Sequence, residues 1–390
     1  MHSHKSAARP LALLYAALIV YASLYPFTGW RTQGLSPFAF LQAPFPQYWT
    51  KFDLIANFVG YAPFGFLLTL ALLRARWRWP AIIAASVLAA LLSLTMESLQ
   101  SYLPLRVASN LDLALNAGGG VAGALTAFVL ERLGAVDLWR RWRARWFVRE
   151  SRGALVLLGL WPVGLLFPPP VAFGMGQVYE RLYGWLAALV EDTPFVQWLP
   201  ERLQLTPLRL WQELLCVALG VLVPCLLGNT IIRPPGRKLV FSAMVFVAAF
   251  GVAGLSAALT WGPPHAWAWL SDTVELALVI GALAALAAVF LPPRVNAALL
   301  ALALLTQLAL LNTAPQNAYA AATLQEWEQG RFIHFHGLAQ WVGWLWPYLT
   351  LAWLLTRLGR ADAGLSAPAP LSRDTRAGSA PNARPLEFGP

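Results

Sequence analysis

The feature that most constrains this chain is a series of uncharged apolar runs, each near the ~20 residues needed to cross the hydrocarbon core of a bilayer. Ten recur, at about 10–27, 52–74, 79–102, 111–130, 153–172, 210–232, 239–259, 273–291, 295–312 and 337–356. In lipid no water satisfies the backbone, so a spanning segment is either a helix or a strand of a closed barrel. The runs lack the strand alternation and turn signals of a barrel. The sequence therefore predicts an all-α, polytopic transmembrane protein of about ten spans. Only 12% of residues are charged, about half the ~25% of a soluble domain. Pro63, Pro162, Pro224 and Pro347 fall inside the runs, where membrane helices tolerate proline if neighbours satisfy the freed carbonyl.

The net charge of +10 raises the question of nucleic acid. Its distribution answers it. With the N-terminus placed in the cytoplasm, 21 of the 28 Lys and Arg fall in inside segments, and twelve of the 18 acidic residues fall outside. The basic excess is then a topology signal, and no nucleic-acid partner is predicted. Both termini are expected in the cytoplasm, and the protein in the bacterial cytoplasmic (inner) membrane. Cys216 and Cys225 lie inside one predicted span and read as inert core residues. The opening HSHKSAARP and the run to Phe27 have the shape of a signal peptide, with Val20-x-Ala22 resembling a cleavage site. The run continues through Tyr25-Pro26 without a polar cleavage region, so an uncleaved first span is expected.

Between the spans, 131–152 places Trp139, Trp142 and Trp146 on one helical face among arginines. This predicts an interfacial helix on the anionic cytoplasmic leaflet. Segment 178–190 has helical apolar spacing but is too short to span, and is expected as an interfacial helix on the outer side. The tail from Ala361 is rich in Pro, Ala, Ser and Arg and is expected to be disordered. The predicted organisation is a four-helix region (1–131), a linker helix (132–152), a six-span region (153–357) and a cytoplasmic tail (358–390).

One join between spans is unusually polar. MESLQSYLPLRVASNLDLALNAGGG (96–120) carries Glu97, Gln100, Arg106, Asp112 and Asn116. Asp53 and Asn57 repeat the Asp112/Asn116 spacing at the start of the second span. Thr50-x-x-Asp53 and Ser109-x-x-Asp112 have the form of capping boxes, which gives both aspartates a local role opposite the helix dipole. Glu97 has no such local role. It ends an apolar segment, where an ionisable group is costly unless paired or solvated, and is a functional candidate by default. A Glu97–Arg106 pair pinning the hairpin and a role towards a ligand both meet that cost. With a rise of ~1.5 Å per residue, Glu97, Asn116 and Asn57 are expected at one level, roughly 7 Å inside the outer helix ends. Gly119-x-x-x-Gly123 permits close helix approach.

The ordered set Asp53-x3-Asn57-x3-Tyr61-x-Pro63-x-Gly65, then Glu97-x2-Gln100, then Arg106-x5-Asp112-x3-Asn116-x2-Gly119-x3-Gly123 resembles the VanZ-like family over about residues 10–131. The resemblance implies a four-helix membrane domain with an envelope role at the outer face; the family is named for a protein linked to teicoplanin resistance. Many members carry Lys after the first Asp and His four residues after it. Here Leu54 and Asn57 stand at those positions, so a proton relay at that corner lacks its titratable group.

Three function classes compete. In the first, a non-enzymatic envelope protein binds an amphiphilic or lipid-linked molecule, such as a lipoglycopeptide or cell-wall precursor, at Asp53, Asn57, Glu97, Gln100, Arg106, Asp112 and Asn116; two helix N-termini and Arg106 would form an anion site. In the second, a membrane enzyme acts on a lipid-linked glycan or phosphate, with Glu97 as the catalytic acid or base and Asp112 as its partner. The third is a transporter or flippase, for which no inverted repeat or mid-membrane ionisable pair is visible. Membrane lipids are the general partner, and the oligomeric state is open. EWEQGRFIHFHG (326–337) offers His334 and His336 beside Glu326 and Glu328. Alternate residues of one short stretch are too few for a zinc site, so neither metal nor cofactor is predicted.

Overall fold

The computed structural model describes residues 8–366, except 25–26, 28, 35, 47–50, 76, 105, 149, 168 and 316–332. Twelve α-helices run through the described residues, with no strand among them: α1 (Ala8–Leu24), α2 (Lys51–Arg74), α3 (Pro80–Gln100), α4 (Asn110–Arg132), α5 (Ala135–Trp146), α6 (Arg152–Leu166), α7 (Tyr179–Val190), α8 (Leu210–Ile231), α9 (Pro235–Trp261), α10 (Asp272–Val289), α11 (Pro293–Asn312) and α12 (Ile333–Ser366). Proline opens α3, α9 and α11 at the first helical position, where its missing N–H would have no partner anyway. Ser109 and Ser271 cap α4 and α10 by accepting from the N–H three residues on.

Each of the ten predicted spans coincides with a helix, but the helices differ in reach. Seven, namely α2–α4 and α8–α11, are long and apolar enough to cross a membrane; α1 and α6 are apolar but shorter. The two short ones stop where proline disfavours the helical conformation of the residue before it. Leu24 is followed by Tyr25-Pro26, and Leu166 by Phe167 and a run of three prolines. The sequence reading carried these spans to residues 27 and 172, several residues too far. At the other end of the chain, α12 contains predicted span 337–356 and continues to Ser366, past the expected start of the tail; residues 367–390 lie outside the described part.

The buried apolar residues form two clusters. One joins α1, α2 and α3 through Ile19, Tyr61, Phe64, Ala89 and Met96, with Leu103 just beyond α3. The other is built around α8, with α6, α9, α10, α11 and α12 against it. Outward faces stay apolar: Ile55, Val59, Ile83, Leu91, Val247, Leu283 and Leu302 are all exposed. A contiguous apolar surface of this extent is a lipid-facing surface. Both segments expected to be interfacial are helical. In α5, Trp139, Trp142 and Trp146 stack with centroids 5.0 and 5.3 Å apart. In α7 no residue is buried, and Arg181 lies over the Trp344 ring of α12. The two clusters are joined where α12 meets α1, with Trp341 Nε1 donating to the Tyr21 hydroxyl at 2.8 Å.

The tightest pairing is α2 against α4. A Cβ on Gly119 would run into the Phe58 carbonyl, and one on Gly123 into the Ala62 carbonyl. The small-residue spacing read from the sequence is therefore an interhelical contact at backbone distance. Both obstacles are backbone atoms, so the clash cannot be relieved by a rotamer change. Gly123→Leu should separate α2 from α4 and lower the thermal midpoint of the purified protein well below that of Gly118→Leu, whose site meets only the Phe58 ring. Equal midpoints would contradict the contact.

Candidate functional site

The polar residues at the α3–α4 join collect into two groups, each explained by a helix end. The last carbonyls of α1 have no partner within their own helix. Gln100 Nε2 donates to the Ser23 carbonyl at 2.9 Å, and Arg106 Nη2 reaches the Ala22 carbonyl at 3.5 Å. Burial lowers the pKa of Arg106, but from so high a value that the guanidinium keeps its charge. A cation at the C-terminal end of a helix is favoured by the helix dipole. Gln100 and Arg106 thus fasten α1 to the hairpin.

The second group begins α4. Ser109 Oγ accepts from the Asp112 N–H at 3.3 Å, the first half of the expected capping box. In the full motif the third helical residue would return a carboxylate to the cap's own N–H. Here the Ser109 N–H donates instead to Glu97 Oε2, at 2.8 Å. Glu97, on α3, supplies from another helix the half of the box that Asp112 was expected to supply. Glu97 is 4% exposed, and its carboxylate sits at the positive end of the α4 dipole. This bond gives the buried carboxyl a backbone partner and spares the Ser109 N–H the cost of an unmade bond. The hairpin is pinned, as one reading of Glu97 required, but through a backbone N–H.

One turn deeper, Asn116 Nδ2 donates to Ser93 Oγ at 2.9 Å. Glu97 and Asn116 therefore do not meet at one level; Ser93, one helical turn from Glu97, takes Asn116. The Tyr61 hydroxyl of α2 lies beside Ser93 and within electrostatic reach of Glu97, without a hydrogen bond of good geometry to either. Tyr61, Ser93, Glu97 and Asn116 are all buried, and the Tyr61 hydroxyl and Asn116 Oδ1 are unpartnered. Asn57 stands one turn before Tyr61 on α2 and is half-buried. The side chain of Asp53 and all of Thr50 lie outside the described residues. Ser93 was missed in the sequence because a serine in an apolar run carries little signal by itself; its spacing of four from Glu97 was the available clue.

Segment 27–46 covers this end of the helices. Arg31 N donates to the Tyr102 carbonyl at 3.0 Å and Gln33 Nε2 to the Ser101 carbonyl at 2.9 Å. Asn110 Nδ2 donates to the Ala43 carbonyl at 2.6 Å. The segment exposes Trp30, Phe38, Leu41 and Phe45. Among the described residues, no group of three or more His, Cys, Asp or Glu is placed to hold a metal ion. Residues 326–332 and the side chains of His334 and His336 lie outside the described residues.

Replacing Glu97 with Ala should orphan the Ser109 N–H and cost about 1–3 kcal/mol. Glu97→Gln retains an acceptor and should lose less. Thermal unfolding in detergent is expected to rank wild type above Gln and Gln above Ala; an Ala variant as stable as wild type would show that the bond does not hold α4.

Residues 11–131 match the family model described as VanZ/LLP1. No curated protein and no solved structure matches the chain. The match takes in α1–α4 and both polar groups just described, and it assigns this stretch of the chain to the VanZ-like family.

Proposed function

We propose that this chain is a VanZ-like integral membrane protein of the bacterial cell envelope that binds an amphiphilic or lipid-linked molecule at the outer end of α1–α4 without transforming it. The observation that carries this reading is the juxtaposition of an apolar cover and a polar helix end. Segment 27–46 presents exposed aromatic side chains at the α3–α4 join, and in the same four-helix region the Tyr61 hydroxyl and Asn116 Oδ1 are buried without a hydrogen-bond partner. A ligand with an apolar chain and a polar head matches both surfaces. A lipoglycopeptide of the teicoplanin type has this character, as does a lipid-linked cell-wall precursor.

Glu97 favours binding over acid–base chemistry. Its carboxylate already accepts from the N–H of Ser109, the cap of α4, so it serves as a fixture of the fold. Gln100 and Arg106 are likewise engaged with the carbonyls of α1. The ligand-facing groups in this reading are therefore Tyr61, Asn116 and the aromatic side chains of the cover, with Asn57 beside Tyr61.

The orientation rests on where the cations gather. Arg74 beside Glu131, Arg237 at the Arg145 carbonyl, Lys238 at the end of α10 and Arg357 at the end of α8 share one end of the helices. By the positive-inside rule that end is cytoplasmic, which leaves the covered polar end facing outward in the cytoplasmic membrane.

Expression in a susceptible bacterium should raise resistance to teicoplanin. The double variant Trp30→Ala, Phe38→Ala should lose the effect while still reaching the membrane, and full resistance in that variant would overturn the binding role of the cover. Glu97→Gln keeps an acceptor for Ser109 and should keep the phenotype; its loss in a stably folded variant would favour the enzyme instead. For orientation, Val107→Cys, at 86% exposed, should react with a membrane-impermeant maleimide in intact cells, and Trp77→Cys only after permeabilisation. Cys216 and Cys225 are buried and add little background. The reverse labelling pattern would invert the topology.

A further inference from the structure

A cavity lies in the other cluster of helices, among the ends of α6, α8, α9 and α10. It measures about 270 Å³, and its walls include Leu165, Phe173, Glu213, Trp261, Trp269 and Val274. Glu213 is the ionisable residue of the lining. Among the described residues, no basic side chain pairs with it. Its place in the first turn of α8 is favourable towards the dipole. That accounts for an acid at this position, but not for a carboxylate set on an aromatic wall.

Trp269 supplies a second, independent observation. Its Nε1–H is buried and has no acceptor. An indole nitrogen only donates, and Trp269 lines the cavity, so an acceptor brought in there would supply the missing partner. The ring is held edge-on by Phe173 at 5.6 Å and by Phe250 at 5.7 Å. Phe173 itself has φ of +61°, an outlier for a bulky side chain. Its carbonyl accepts from Gln307 Nε2 at 3.3 Å and packs on Gly220, where a Cβ would clash with it. Strained backbone of this kind persists where the surroundings over-determine it, often at ligand sites.

The chemistry of the walls selects the occupant. A hard metal cation needs a shell of six or more oxygens. The cavity offers one carboxylate, and its serines are engaged: Ser256 Oγ donates to the Leu166 carbonyl and Ser271 Oγ accepts from the Val274 N–H. A carboxylate in a cavity that Trp261 and Trp269 also line instead suits an organic ammonium, which gains charge pairing and, over an indole face, cation–π attraction. The Trp269 N–H adds a donor for an oxygen close to that cation.

We infer that this cavity binds the ammonium-bearing headgroup of an amphiphile, with the cation at Glu213 against Trp261 and a neighbouring phosphate or ester oxygen accepting from Trp269 Nε1. The volume admits a headgroup of the ethanolamine-phosphate kind, with the acyl chains left outside among the lipids. The site is independent of the one at α1–α4 and gives the second cluster a ligand of its own.

The test uses the full chain in nanodiscs of phosphatidylglycerol, which carries no ammonium. Phosphatidylethanolamine added to the disc, or soluble phosphoethanolamine added to the buffer, is titrated against the thermal midpoint. A rise with the lipid alone identifies the membrane as the source; a rise with both identifies the headgroup as sufficient. Glu213→Gln, which keeps the volume, should weaken the response about tenfold or more, the worth of one lost charge-assisted contact. Trp269→Phe should weaken it while keeping the aromatic wall, and it serves as the second variant if Glu213→Gln fails to fold. No response to either probe, or the same response in both variants as in wild type, would overturn the inference.

Discussion

The last carbonyls and first N–H groups of a helix find no partner inside it, and in hydrocarbon no water replaces that partner. Much of the polar side-chain chemistry of this protein answers that shortage. Gln100 and Arg106 finish α1. Lys238 Nζ donates to the Val289 and Leu291 carbonyls at the end of α10. Arg357 reaches Thr230 at the end of α8. Gln177 donates to the Leu311 and Ala314 carbonyls at the end of α11, while Asn312 Oδ1 accepts from the N–H groups that lead into α7. In each case the side chain belongs to a different segment from the end it completes. Satisfying the backbone and assembling the bundle are therefore one process.

This economy changes how polar residues in an apolar chain are read. A buried Arg or Glu near a span end is a functional candidate by default, yet here Arg106 and Glu97 each have a backbone partner that explains them. Capacity beyond the fold's own needs is the better guide to function. By that standard the buried, unpartnered Tyr61 hydroxyl, Asn116 Oδ1 and Trp269 Nε1 carry the binding roles proposed above, and the charged Glu97 and Arg106 do not.

Class, helix positions and a close helix contact at Gly119 and Gly123 were legible because they follow from local rules: run length, proline and glycine spacing; that α2 is the partner was not. The ends of α1 and α6 were legible in principle from Pro26 and the proline run at 168–170, but hydropathy alone carried the helices past them. The α4 cap was half legible. Ser109 and Asp112 are three apart, so their bond is written in local sequence. The Glu97–Ser109 bond spans a turn whose path sets which atom arrives, and no spacing rule supplies that. Tyr61 and Ser93 share a site only because α2, α3 and α4 pack together, a tertiary fact with no periodic signal.

The contact between Trp341 and Tyr21 joins residues 320 positions apart. Domains generally fold as they leave the ribosome, N-terminal parts first. During synthesis α1 to α4 therefore enter the membrane and settle long before α12 exists, and the flank of α1 that Tyr21 occupies waits, facing lipid. Its later covering by α12 joins the first helices of the chain to the last. The same flank, left open on an interrupted chain, would be a lasting mark of incompleteness for a membrane quality-control protease to read.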